Sequence, residues 1–202
     1  DSQVFTGDTS LSYRFTPLFS SGLFINTSHN TFESGRDSRV YAGGLTASYM
    51  ISPAFSVNAR AGASRAQEYG SGNLERITWS PYGSLYIGYS RETFRAGLSG
   101  TINQSGGGSF GYSTQTESVI LNLSDQFAAR WSGDISGTYQ KSKSLDPTGS
   151  QSLESATGTA GIQYRPWEWA TLRLSGTAYQ QWSRGTVGAD LNRYSALLGI
   201  TI

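Results

Sequence analysis

The sequence predicts an all-β chain, an antiparallel up-and-down transmembrane β-barrel of about 12 strands, 11 of them clear, in one domain over 1–202. Three observations carry this reading. Apolar and polar residues alternate with a two-residue period along nearly the whole chain, the mark of strands with two unlike faces. Short turns alternate with long Gly/Ser-rich links. Charged residues make up only 14%, with Lys confined to Lys141 and Lys143, whereas soluble β proteins keep charge on their outer faces to block aggregation.

Taken in order, the strands are read over 11–19, 23–32, 41–51, 55–64, 77–89, 94–103, 113–123, 127–140, 155–164, 169–181 and 191–202. Each is about the length a tilted strand needs to cross a bilayer, roughly 9–11 residues. In 55–64, Phe55, Val57, Ala59, Ala61 and Ala63 alternate with Ser56, Asn58, Arg60, Gly62 and Ser64. The stretch FAARWSGDISGTYQ (127–140) reads as one strand with Phe127, Trp131, Ile135 and Tyr139 on the lipid phase. Residues before Asp8 could supply the stub of a twelfth strand.

Short turns are expected at Ser20-Ser21-Gly22, Ser52-Pro53-Ala54, Tyr89 to Glu92, Ser124 to Gln126 and Arg165 to Glu168. Long links are expected over 33–39, 65–76, 104–112, 141–154 and 182–190. Short turns at one end and long loops at the other are the layout of outer-membrane barrels. Aromatics gather beside the short turns. Phe24, Phe55, Phe94, Phe127 and Trp169 follow them, and Phe19, Tyr49, Tyr89 and Tyr164 precede them. Amphipathic rings suit the headgroup level, so these residues are expected to form an interfacial belt.

The polar faces are rich in Ser, Thr, Gly, Asn and Gln, and Arg14, Arg60, Arg95, Arg130 and Arg173 fall on the polar phase. With Asp134 these are the candidate pore-lining residues. A charged ring in a pore selects by sign, so one reading is anion-favouring passage. The other is that the arginines pair with carboxylates and stiffen the wall. The residues leave both open. Tyr82, Tyr86 and Tyr179 are also expected to point inward, which leaves a narrow passage or an occluded one.

Several function classes are excluded or weakened. A net charge of +1 gives no electrostatic basis for nucleic-acid binding. With no Cys and a single His, disulfides and multi-His or Cys metal sites are ruled out, and no cofactor is expected. His29 lies in NTSHNTF (26–32) beside Ser28, but neighbours on a strand point to opposite faces. No catalytic residue is therefore assigned. SGGGS (105–109) opens no helix, so a phosphate cradle lacks its context.

The hairpins, belts and loop asymmetry resemble those of Gram-negative outer-membrane β-barrels, and YSALLGITI (194–202) resembles their terminal strand. The last residue departs from the commoner Phe. The repeat style is similar to porin-like or exopolysaccharide-export-associated barrels. That resemblance implies a bacterial outer-membrane location and a lipid bilayer with lipopolysaccharide as surroundings. It implies a channel or export conduit for small or anionic solutes. The alternative is a scaffold that sheathes a protein partner in an export or electron-transfer complex. A membrane-embedded lipid hydrolase using His29 is the third reading. The strand count leaves two options: residues 1–6 are the rest of an upward strand, or the chain belongs to a longer polypeptide.

Overall fold

A computed structural model describes residues 2–32, 36–70, 73–106, 113–145, 151–184 and 189–201. Within them lie eleven strands: β1 (Ser2–Thr16), β2 (Phe19–Phe32), β3 (Arg36–Ser52), β4 (Phe55–Gly70), β5 (Asn73–Arg91), β6 (Phe94–Ser105), β7 (Thr114–Ala128), β8 (Trp131–Ser144), β9 (Ser152–Trp167), β10 (Ala170–Arg184) and β11 (Leu191–Thr201). They form one sheet in sequence order, every neighbouring pair antiparallel. The architecture is all-β and up-and-down. β1 and β11 are the sheet's two edges and run in the same direction.

The eleven described strands are the eleven that are clear in the sequence, and among the described residues no stub of a twelfth precedes β1. Residues before Asp8 belong to β1 itself, paired with β2 from Ser2↔Phe32 onward. The strands also reach further than periodicity alone suggested. β4 runs to Gly70 and β5 begins at Asn73, so most of the link expected over 65–76 is a paired ribbon beyond the apolar band. Its polar residues kept it from reading as strand, although the backbone pairing continues.

Two expected turns move. The first is Pro17-Leu18, not Ser20–Gly22. Proline's fixed φ and missing N–H suit a turn, and the Thr16 hydroxyl accepts hydrogen bonds from the backbone of Leu18 at 3.2 Å and Phe19 at 3.0 Å. Gly22 lies in β2, where a side chain would meet the Leu11 carbonyl oxygen at 2.0 Å. The fourth turn is Ala129-Arg130, not Ser124–Gln126. FAARWSGDISGTYQ is therefore the end of β7, a turn, and the start of β8. The outer phase survives because a register irregularity between Asp125 and Ala128 precedes the turn, where Ala128 pairs with Trp131. The other short turns are Pro53-Ala54, Glu92-Thr93 and Glu168-Trp169.

One face is identified as concave by side chains that meet across several strands. The Phe24 and Tyr82 rings, from β2 and β5, lie 5.2 Å apart, and Asp8 of β1 reaches Arg60 of β4. Between Phe24 and Tyr82 in the register are Gly44 and Gly62. A Cβ at either would lie within 2.2 Å of a carbonyl oxygen on the neighbouring strand. Glycines at such points let a sheet bend sharply, and flanking aromatics cover them. Phe24, only 1% exposed, is thus inward and not part of the outer belt.

No described residue covers the opposite face. Leu45 is 62% exposed, Ile135 54% and Trp79 66%. Apolar surface of this extent is costly in water, at roughly 25 cal/mol per Å². Aromatics bound it at the short-turn end. Tyr13–Phe15, Phe15–Phe19, Phe19–Tyr49, Tyr89–Phe94, Trp131–Tyr164 and Trp167–Trp169 are all ring contacts, at 4.4–6.3 Å. Phe55 sits opposite Tyr89, and Phe127 packs where Gly133 lacks a side chain.

Candidate functional site

The concave face is built from the polar phase of each strand, and the register places the predicted residues. Arg60 pairs across the sheet with Thr46 and Ser84, and Arg14 with Ser20. Arg95 pairs with Ser124, which in turn faces Asp134. Arg173 pairs with Gln163. All five of these predicted residues therefore share the inner face. Arg130 does not join them on a strand: it occupies the Ala129-Arg130 turn, its carbonyl accepting from Arg165 N at 2.8 Å.

The charges are partly matched. Arg173 Nη2 donates to both Asp134 oxygens, at 3.0 and 3.1 Å. The two residues sit on β10 and β8, so the bridge crosses β9. It crosses at Gly161, where an added Cβ would meet Asp134 Oδ1 at 2.9 Å. Moving the turn to 129–130 also brings Asp134 near the short-turn end, level with the arginines rather than deeper. Arg60 approaches Asp8 at 3.6 Å and lies 5.6 Å over the Phe24 ring. Arg14 and Arg95 make no ion pair with any described residue. Sequence reasoning missed two members: Asp8, assigned to no strand, and Arg193, placed on the inner face by its pairing with Tyr179.

Near the short turns, a groove of about 610 Å³ includes Tyr86, Arg95, Asn122, Ser124, Asp134 and Ser136 in its lining. The Tyr86 ring lies flat over Gly88, where a Cβ would meet it at 2.8 Å. The tyrosine thereby covers wall and projects less into the interior. Tyr179 bonds Gln181 on its own strand at 2.6 Å.

At the opposite end the far part of β6 folds across the concave face. β5 and β6 part company after Gly83↔Ile102. Beyond it, Gln104 reaches β4, where its Oε1 accepts from Ser64 Oγ at 3.0 Å. Asn30 of β2 donates to the Gly106 carbonyl at 3.3 Å. Ser113 N donates to Glu68, and Arg76 to the Leu145 carbonyl. The result is a buried polar layer containing Asn30, Ser38, Ser64, Ser80 and Gln104. Ser38 Oγ, Ser80 Oγ, Gln104 Nε2 and Ser113 Oγ are buried without a partner among the described residues. The layer's individual residues read in sequence as ordinary loop and strand polar positions.

His29 falls on the outer phase, between Phe5 and Arg39 in the register. Its Nε2 is buried without a partner among the described residues. Ser28 faces the other side, paired with Val40 and Thr6. No hydroxyl–imidazole–carboxylate set forms around it among the described residues.

One solved structure shares this architecture. The FrpB iron transporter from Neisseria meningitidis (F3-3 variant) superposes with a TM-score of 0.66 at 9% identity, over 90% of this chain and 36% of that one. This chain thus spans little more than a third of that protein's length. The CymD monoaromatic hydrocarbon channel aligns with a TM-score of 0.44 at 12% identity, over 98% of this chain and 76% of that one. No family model matches the sequence. No curated protein matches it either.

Proposed function

We propose that this chain forms wall of a bacterial outer-membrane channel that passes small polar or anionic solutes, narrowed at its long-loop end. The observation that carries the reading is the sheet's division into two solvents. The outer face is apolar and uncovered between aromatic rows, while the inner face is polar and carries arginines in excess of their carboxylate partners. Trp79 and Tyr89 bound the outer band on β5, ten residues apart. At about 3.3 Å per residue and a tilt near 40° this is roughly 25 Å of height, the thickness of an outer-membrane apolar band. A fold shared with a transporter supports the same direction, and the solute is read from the lining alone.

Arg14, Arg95 and Arg193 supply positive potential without local neutralisation, which favours anions in a water-filled lumen. The test is planar-bilayer recording of the purified protein in a salt gradient. An anion-selective current is the expected result. Absence of current from folded, inserted protein would sink the channel reading.

The buried polar layer around Ser64 and Gln104 favours one second reading, an occluded barrel that scaffolds or sheathes an envelope partner. Folded, inserted protein that conducts no ions and co-purifies with a defined protein would support it.

A further inference from the structure

At the long-loop level the outer face carries cations on both halves of the sheet, and the two sets are held differently. Arg65 of β4 lies between Tyr41 and Trp79 in the register, its guanidinium 5.8 Å from the Trp79 ring centre. Arg39 of β3, one row nearer the long loops, sits 5.1 Å over the Tyr69 ring. Neither makes an ion pair with any described residue. Asp37, on the next row out, is paired in register with Tyr69 but forms no bridge to either arginine. Arg65 Nε is buried without a partner among the described residues, so the Trp79 face is what positions the guanidinium.

On the other half Lys143 and Arg184 share the outer phase, but neither is stacked on a ring among the described residues. There Lys141 lies between Glu117 and Glu154 in the register. It bridges Glu154 at 3.1 Å, and Tyr139 OH donates to the same carboxylate at 3.0 Å. That cation is already neutralised. The contrast matters because both sets sit beside an upper aromatic row, Tyr41 and Trp79 in one case and Tyr139 in the other.

From this we infer that Arg39 and Arg65 form a recognition site for the phosphate of an outer-leaflet saccharolipid of the lipid A type. The inference rests on the membrane-barrel reading above and adds a ligand to its outer surface. An arginine fork held on an aromatic face is preorganised for a phosphomonoester. The apolar band below, with Leu45 and Ala63 on the same face, takes acyl chains. Depth fits as well, since the site lies at the long-loop edge of the band, where headgroups begin.

The experiment uses the full chain folded in detergent and reconstituted into liposomes, with protease protection as the insertion check. Purified hexa-acyl lipid A, its enzymatically dephosphorylated form and inorganic phosphate are the probes, with retention read by native mass spectrometry. Lipid A should be retained over the dephosphorylated form. Arg39→Gln with Arg65→Gln should weaken retention by about 25-fold, taking ~1 kcal/mol for each arginine near a charged lipid surface. The double Lys variant, which keeps the charge but loses the stacked fork, should recover only part of it, and Lys141→Gln should change nothing. Inserted protein that does not discriminate the two lipids overturns the phosphate site alone. Displacement of lipid A by low-millimolar inorganic phosphate overturns the lipid assignment in favour of a free-anion site. Failure to insert overturns the membrane reading together with it.

Discussion

Asp134 and Arg173 meet across an intervening strand, with one guanidinium nitrogen within 3.1 Å of both carboxylate oxygens and the gap beneath them left by Gly161. The pair converts two inner-wall charges into one neutral bridge. Both residues are about half exposed, so the bridge contributes no more than ~1 kcal/mol to stability. Its larger effect is on the electrostatic profile of the interior.

Asp134→Ser should therefore release Arg173 and raise anion preference with little loss of stability. The reversal potential in a tenfold KCl gradient reads this directly. An unchanged potential would show that this level of the wall is not on the conduction path.

Arg95→Ser should lower anion preference, because Arg95 lines the groove without a carboxylate partner. Arg130→Ser should leave it nearly unchanged, since that residue belongs to a turn. Equal effects of the two substitutions would contradict the assignment of the Ala129-Arg130 turn.

A charge on the outer face should oppose insertion. Ile135 is midway between Trp131 and Tyr139 on β8, so Ile135→Arg should cost about 2–4 kcal/mol at the bilayer midplane. Ser136→Arg, one residue on and facing inward, should be tolerated. Urea unfolding from liposomes measures both.

Gly62→Val should be among the most damaging small substitutions. A Cβ there would lie 2.1 Å from the Gly43 carbonyl oxygen, and overpacking typically costs about 1–3 kcal/mol, occasionally more. Gly137→Val is the control, because a Cβ at Gly137 meets nothing within 4 Å. If the two variants unfold at the same denaturant concentration, the tight bend at Gly44 and Gly62 is wrong.

Gln104→Ala removes the side chain that ties β6 to Ser64. Single-channel conductance should rise if this layer limits flow. A constant conductance would place the narrowest point elsewhere.

Alternation along the chain already separated the two faces, and the register keeps Arg14, Arg60, Arg95, Asp134 and Arg173 together on one of them. Periodicity needs no partner strand: it follows from Cβ geometry within each strand. Turn position is different. Ser-Ser-Gly and Ser-Asp-Gln carry turn chemistry yet fold as strand, while Pro17-Leu18 and Ala129-Arg130 turn. The choice depends on which register sets the girdle aromatics side by side and lets Gly22 approach Leu11. Those are contacts between strands, invisible to a local window.

Alone, then, the sequence determined an all-β, up-and-down chain with one apolar and one arginine-bearing polar face, because a two-residue period is a local property of extended backbone. Only the tertiary structure decided that Phe24 turns inward over paired glycines and that Arg173 is neutralised by Asp134 while Arg95 is not. It also decided that β6 folds across the interior to Ser64. Each of these depends on which residues far apart in sequence are brought opposite one another, and register and sheet curvature set that jointly over many strands.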